Sequence, residues 1–348
     1  MISICIIVKN DSGNFKKCLE KLLPLNYEIV VVDTGSTDET KEVAFRHTEN
    51  VYDFEWCDDF SAARNFATSK SSNDHILFVD SDEFLMDFDK KELERLVCEN
   101  PEKVGRIHRN NEFTREGKKY KSRELVNRLF SKNLYYYSGE IHEQVTAFSG
   151  EGYTTYPAPL YFQHMGYEGS EEQRKAKAER NIELLKKVLE KKGDDPYILY
   201  QMGKAYYLEG NHKEASLYFS KALEFDLDIN LEYVIDMVEM YGYSLLNSDR
   251  VEEALFFENI YNEFSGSADF VFLMGLIYMQ NLKFDKAESE FLKAATYKDA
   301  KVEGVNSYMA MYNAGVIREC LGDKEKAREY FKKCGEYGPA LEGMKRCD

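Results

Sequence analysis

The chain has no surplus of positive charge. Its 46 Lys and Arg are outnumbered by 62 Asp and Glu, for a formal charge of −16. That argues against a nucleic-acid partner, since neutralising phosphates takes a basic face, and against electrostatic docking on an anionic membrane. An anionic substrate must then be received locally, by a metal ion or a few placed cations. Paired cysteine is also missing. Cys5, Cys18, Cys57, Cys98, Cys320, Cys334 and Cys347 are scattered, odd in number and without a CxxC spacing. Neither a zinc ribbon nor a thioredoxin-type motif is indicated, and free thiols in a reducing compartment are expected. Nor is there a long apolar run: Ile2–Val8 is far too short to span a bilayer. It lacks the basic leader and cleavage site of a signal peptide. The expectation is a cytoplasmic protein without membrane insertion.

What is present divides the 348 residues in two, as their number allows. The first half alternates strand and helix signals. Ile2–Val8 is a β-rich apolar run, and Phe15–Leu23 carries apolar residues at helical spacing. Glu28–Asp33 is a second buried strand, followed by the turn Thr34-Gly35-Ser36, with Thr37 as the expected cap of a helix carrying Val43 and Phe45. Phe60–Ser69 reads as helix and His75–Val79 as a third strand. Such alternation predicts a parallel sheet with helices on both faces, whose ligands bind beyond the carboxyl ends of the strands. Those ends hold Lys9-Asn10, Asp33 and Asp80–Asp82.

From about Glu171 the texture becomes helical throughout. Gly203, Gly242, Gly275 and Gly315 are each followed twelve residues later by alanine, at Ala215, Ala254, Ala287 and Ala327. Tyr206 and Tyr278 stand three after the glycine; Phe219, Phe291 and Phe331 stand four after the alanine. Small residues beside fixed aromatics let paired helices pack closely, as in the tetratricopeptide pattern with its period of about 34 residues. The glycine spacings of 39, 33 and 40 imply insertions. Gln173–Lys192 reads as a charged connecting helix. The expected domains are 1–170, a connector over 171–193, and repeats over 194–348.

The chemistry concentrates in Asp80-Ser81-Asp82-Glu83. Acids crowded at a strand terminus repel one another unless a cation neutralises them. If the segment is extended, Asp80 and Asp82 share a face and offer hard oxygen ligands to Mn²⁺ or Mg²⁺. The alternative is a solvated turn.

These segments carry a family resemblance. SICIIVKND, VVDTGSTDET, DFSAARNFA and ILFVDSDEFL occur in the order and spacing of family 2 glycosyltransferases with the GT-A fold. VNRLF, GEIHEQV and YFQHMGY resemble a subgroup that includes lipopolysaccharide core glucosyltransferases and peptide S-glycosyltransferases of glycocin pathways, some with tetratricopeptide repeats. The resemblance implies a Rossmann-like α/β GT-A domain followed by an all-α repeat domain. It also implies that Val8, Lys9, Asn10 and Asp33 line a uridine pocket and that Gly35 and Ser36 turn the backbone beside the nucleotide. Arg64 and Asn65, the family's RN pair, would contact its nucleotide side; an ion pair of Arg64 with Asp58 or Asp59 is the alternative. Asp80 would hold the ribose or metal, Ser81 would belong to the nucleotide-sugar site, and Asp82 would bind the metal. His164 would return to the metal or diphosphate, or be a satisfied core histidine. For an inverting transfer the expected base is Glu143, with Glu140 in reserve and His142 orienting the base or touching the donor. The Glu-Asp pair and QxxRW motif of the commonest family 2 pattern are absent, so processive polysaccharide synthesis is not expected.

The leading expectation is therefore transfer of one sugar from a UDP-sugar. A repeat array suits a protein or peptide acceptor. A carbohydrate or lipopolysaccharide-like acceptor is the alternative, and a repeat scaffold with a decayed transferase domain is the alternative of another class. The repeats are also compatible with a homodimer.

Overall fold

The computed structural model describes residues 1–115, 118–165 and 171–348. The chain forms two compact units, Met1–Lys177 and Ala178–Asp348. In the first, β1 (Ile2–Val8), α1 (Ser12–Leu22), β2 (Glu28–Asp33), α2 (Thr40–Phe45), β3 (Val51–Asp53), α3 (Phe60–Lys70) and β4 (His75–Phe78) alternate as expected. β5 (Glu83–Phe88), α4 (Lys90–Glu99), β6 (Val104–Arg115), β7 (Lys118–Ser131), β8 (Tyr135–Ser138), β9 (Gln144–Ala147) and β10 (Thr155–His164) follow.

Eight strands form one sheet in the order β3-β2-β1-β4-β7-β6-β10-β5, and β8 and β9 form a separate hairpin. The parallel sheet expected from the sequence is only the first half, β3 to β4. Beyond β4 the sheet is mixed: β7 runs antiparallel to β4 and β6, β10 parallel to β6, and β5 antiparallel to β10. β1 is buried on both faces, as the centre of a parallel half-sheet must be. Ile2, Ile4, Ile6 and Val8 pack with Phe15 and Leu19 of α1 and Leu93 of α4. Cys5 faces the other way, toward Ala67 of α3 and Tyr137 of β8. This period of two fixes which side chains emerge at the strand ends. α2 starts at Thr40 with no side-chain cap, so Thr37 is not the cap expected of it.

Helix α5 (Glu171–Lys192) runs from the first unit into the second, where α6 (Pro196–Leu208), α7 (His212–Ala222) and α8 (Glu232–Leu246) follow. A 3₁₀ run, Glu253–Ile260, comes next. Then come α9 (Tyr261–Phe264), α10 (Ala268–Gln280), α11 (Phe284–Ala294), α12 (Tyr308–Cys320), α13 (Lys324–Lys332) and α14 (Gly338–Cys347). The expected connector coincides with α5, and the compact units divide inside that helix. The expected first boundary, at residue 170, lies outside the described residues, as do Gly166 and Tyr167 of the FQHMGY segment. Asp195, Asn211, Ser267 and Asp323 cap their helices by accepting a backbone N–H three residues on.

The repeat has a direct physical cause. A Cβ added at Gly203 would stand 2.5 Å from the Phe219 ring, at Gly275 2.6 Å from Phe291, and at Gly315 2.5 Å from Phe331. Each phenylalanine occupies the space its glycine leaves. The second repeat breaks the rule: Glu258 stands where phenylalanine is expected, Gly242 is covered by Leu273 instead, and the second helix is the 3₁₀ run. All seven cysteines are free. No helix among the described residues is long and apolar enough to cross a membrane.

Gly203→Ala should therefore lower stability by about 1–3 kcal/mol through overpacking, although helix propensity alone favours alanine by about 1 kcal/mol. Gly266→Ala, with no atom within 4 Å of the new Cβ, should change stability by less than about 0.5 kcal/mol. Denaturant unfolding of both variants checks the sign.

Candidate active site

The carboxyl ends of β1 and β2 are stitched together by side chains. Asp33 is buried, and its Oδ1 accepts the Gly35 and Ser36 N–H groups at 3.0 and 2.8 Å. Gly35 holds φ at +99°, a conformation that glycine adopts without penalty. Asn10 donates its backbone N–H to Ser36 Oγ at 2.9 Å and accepts from Thr37 N at 2.7 Å. Val8 is buried, with its carbonyl accepting from Thr34 N, and Lys9 is exposed. Asp33 Oδ2 is buried without a hydrogen-bond partner among the described residues. A buried acceptor left unmade costs about 1–3 kcal/mol, so this oxygen points to a donor that the described residues do not supply.

At the end of β4 the geometry departs from the expectation. Residues 80–83 form a turn closed by Glu83 N to Asp80 O at 3.0 Å. Asp80 and Asp82 are therefore not alternate residues of an extended segment. The acid cluster is neutralised from within, and tolerating it requires no metal. Asp80 bridges Arg64, at 2.8 Å, and Arg128. Glu83, fully buried, takes Arg109 at 3.0 Å and Arg128 at 3.2 Å, while its other oxygen accepts Asp80 N. Burial works to raise the Asp80 pKa, but Arg128 and Arg64 outweigh it and hold the carboxyl well below the usual range. With both oxygens on guanidinium groups, Asp80 fits poorly as a metal ligand. Ser81 Oγ donates to Asp11 Oδ2 at 2.7 Å, joining this turn to the end of β1.

Arg64, on α3, is the hinge of the site. It pairs with neither Asp58 nor Asp59; Asp59 instead caps α3 through Ala62 N. Beyond Asp80, Arg64 Nε holds Glu143, and its guanidinium lies 4.6 and 5.1 Å from the ring centres of Phe78 and Tyr137. Burial pushes the Tyr137 hydroxyl pKa up to about 12, against the opposing pull of Arg64 and Arg128. Asn65 has a different occupation from the one expected of it. Its amide donates to Tyr137 O at 2.8 Å and accepts from Tyr137 N at 2.9 Å, clamping the β8–β9 hairpin to α3. Ser138 pairs with Gln144, so Gly139–Glu143 is the hairpin loop. Gly139 and His142 both have positive φ there, +106° and +54°. Glu143 is thus brought to Arg64 and Asp80. Glu140 contributes a backbone contact, its carbonyl accepting Phe60 N at 2.9 Å.

Asp82 meets His164: its Oδ2 is 3.6 Å from His164 Nε2. Two ligands of one octahedral ion at about 2.1 Å stand roughly 3 Å apart, so carboxylate and imidazole can share a cation with little movement. Among the described residues no group of three or more His, Cys, Asp or Glu is arranged to hold a metal; a bound ion would take its remaining ligands from substrate and water. Sequence reasoning missed Arg128, Arg109 and Asn111. Arg128 lies within the VNRLF segment, and an arginine in a mostly apolar stretch near an acid cluster was the available signal.

Two profiles divide the chain in the same way. Residues 3–151 match the family described as Glycosyl transferase family 2; residues 196–229 and 310–337 match Tetratricopeptide repeat. The first unit thus carries a family 2 glycosyltransferase domain and the second tetratricopeptide repeats. Among curated relatives, the SPbeta prophage-derived glycosyltransferase SunS of Bacillus subtilis is 29% identical over 237 residues, 64% of this chain and 53% of that protein. A TPR repeat-containing protein of Synechococcus elongatus is 29% identical over 229 residues, 64% of this chain and 56% of that one. The chain spans about half the length of these relatives. A solved structure of YrrB, titled a TPR protein with an unusual peptide-binding site, matches at 23% identity and TM-score 0.41, covering 50% of this chain and 86% of that one.

Asn65→Ala removes both hydrogen bonds of the hairpin clamp and should cost about 1–3 kcal/mol, with faster hydrogen exchange at the Tyr137 amide. A main role in nucleotide contact would appear instead as weakened UDP binding at unchanged stability.

Proposed function

We propose that this protein is an inverting, metal-dependent glycosyltransferase that moves a single sugar from a UDP-sugar to a protein or peptide acceptor. The observation that carries this reading is that Asp33, whose buried Oδ2 has no partner among the described residues, and the Asp82–His164 pair both stand at strand ends of one sheet. The family 2 domain supports the reaction class, and the glycosyltransferase SunS is a relative of the same kind. In this reading Asp33 Oδ2 accepts the uracil imide N–H or a ribose hydroxyl, in a pocket lined by Val8, Lys9, Asn10, Gly35 and Ser36. Asp82 and His164 would hold Mn²⁺ or Mg²⁺, whose charge would ease departure of the diphosphate. The arginines of the Asp80 turn fix the turn that carries Asp82.

The acceptor nucleophile attacks the anomeric carbon from the side opposite UDP. The bond from that carbon to the diphosphate oxygen breaks, and the new bond forms with inversion. Glu143 takes the acceptor proton; Arg64 anchors one of its oxygens and so sets its position. Glu140 and His142 lie in the same loop, as reserve base and orienting group. The tetratricopeptide repeats support a protein or peptide acceptor, since such arrays present extended binding surfaces.

Asp82→Asn should leave the fold intact and make UDP affinity insensitive to Mn²⁺, as read by calorimetry; a full Mn²⁺-dependent gain would move the metal elsewhere. Glu143→Gln keeps the loop's shape and leaves Arg64 paired with Asp80. UDP binding should then persist while transfer falls by about 100-fold or more. Near-normal transfer would reassign the base to Glu140 or another group.

A further inference from the structure

We propose that Asn111 is a positioning residue that fixes the neutral His164 ring with its proton on Nδ1, so that the Nε2 lone pair faces Asp82. The inference rests on the proposed function in taking His164 as a ligand of the divalent ion.

Sheet register builds the arrangement. His164, at the end of β10, pairs with Asn111 on β6 and with Glu83 on β5, and Arg109 pairs with Glu124 across β6 and β7. The buried Asn111 therefore lies between the imidazole and a carboxylate. Its Nδ2 is 2.5 Å from Glu124 Oε1, and its Oδ1 is 2.9 Å from His164 Nδ1. Glu124 is held by Arg109 Nε at 3.0 Å, and Arg109 also reaches Glu83 at 3.0 Å. An ionised carboxylate only accepts, so the amide end facing Glu124 must be the NH₂ group. The opposite end is then a carbonyl oxygen, which also only accepts, so Nδ1 must carry the hydrogen. One tautomer of the neutral ring satisfies both contacts, and it leaves Nε2 as a lone pair 3.6 Å from Asp82 Oδ2. Fixing the tautomer and ring angle from behind is how outer partners tune a metal-binding histidine.

The test begins on the metal-free wild-type protein at about pH 8, above the ordinary imidazole range. Nitrogen-15 NMR should show His164 protonated on Nδ1 and bare on Nε2; a proton on Nε2 overturns the proposal without any variant. Asn111→Leu, similar in size but unable to accept, should shift the ring toward the Nε2–H form. It should also weaken Mn²⁺ binding to the UDP complex by about 10- to 100-fold, with metal-free UDP affinity kept within about twofold. Unchanged Mn²⁺ affinity in this variant overturns the positioning role. His164→Ala, measured alongside, separates the two levels. Wild-type Mn²⁺ affinity there would remove His164 from the metal and take the positioning role with it, whereas a loss there with none in Asn111→Leu would fault Asn111 alone.

Discussion

The first unit's site depends on one ion pair: the Asp80 carboxylate shared between Arg64 and Arg128. It gathers three elements that are distant in sequence, namely the end of β4, helix α3 and strand β7. All three side chains are largely withdrawn from water. A buried ion pair adds little net stability, yet removing one partner leaves a charge stranded in a poorly solvated site, which costs about 3–5 kcal/mol. Glu83 and Arg109 extend the pair into an alternating cluster, and Glu143 closes it through Arg64. The turn at 80–83 and the hairpin loop at 139–143 are thus held by the same guanidinium.

This explains the division of labour among acids that look alike in sequence. Both Asp80 oxygens and one Glu83 oxygen are held by arginines, and the other Glu83 oxygen accepts Asp80 N. Asp82, two residues on, faces His164 at the end of β10. The mixed half of the sheet makes that meeting possible: β10 lies between β6 and β5, so its last residue stands beside the start of β5. A purely parallel sheet ending at β4 would have no strand to deliver a histidine there.

The parallel half and the repeats were legible from the sequence because both rest on local periodicity. Ile2–Val8, Glu28–Asp33 and His75–Phe78 are short, mostly apolar runs that give way to polar residues at or just past their ends, and Gly203, Gly275 and Gly315 stand at fixed distances from the phenylalanines that fill their space. The mixed half was not legible. β6 and β7 are rich in Arg, Lys and Asn, with no clean alternation, because Arg109, Asn111, Glu124 and Arg128 serve a charge network while Val104, Ile107, Leu129 and Phe130 join the apolar core. Site residues were legible as types and only in part as roles. Asp33 and the Asp80–Asp82 segment stand at strand ends as expected, whereas the strand that ends in His164 was not foreseen. Asn65 clamps a hairpin instead, and the pairing of Asp80 with Arg64 and Arg128 spans separations that no local pattern encodes. Thr37 shows the same limit on a smaller scale: the Asn10 side chain claims its backbone N–H, and the helix begins three residues later.

The central claim is that the strand ends of the first unit receive a uridine diphosphate group with the help of a divalent ion. It is tested most directly by calorimetric titration of UDP, GDP and CDP into the full chain, with and without Mn²⁺. The account predicts that UDP binds, that Mn²⁺ strengthens its binding, and that GDP and CDP bind more weakly under both conditions. Absence of UDP binding, or UDP binding that Mn²⁺ leaves unchanged, would contradict it.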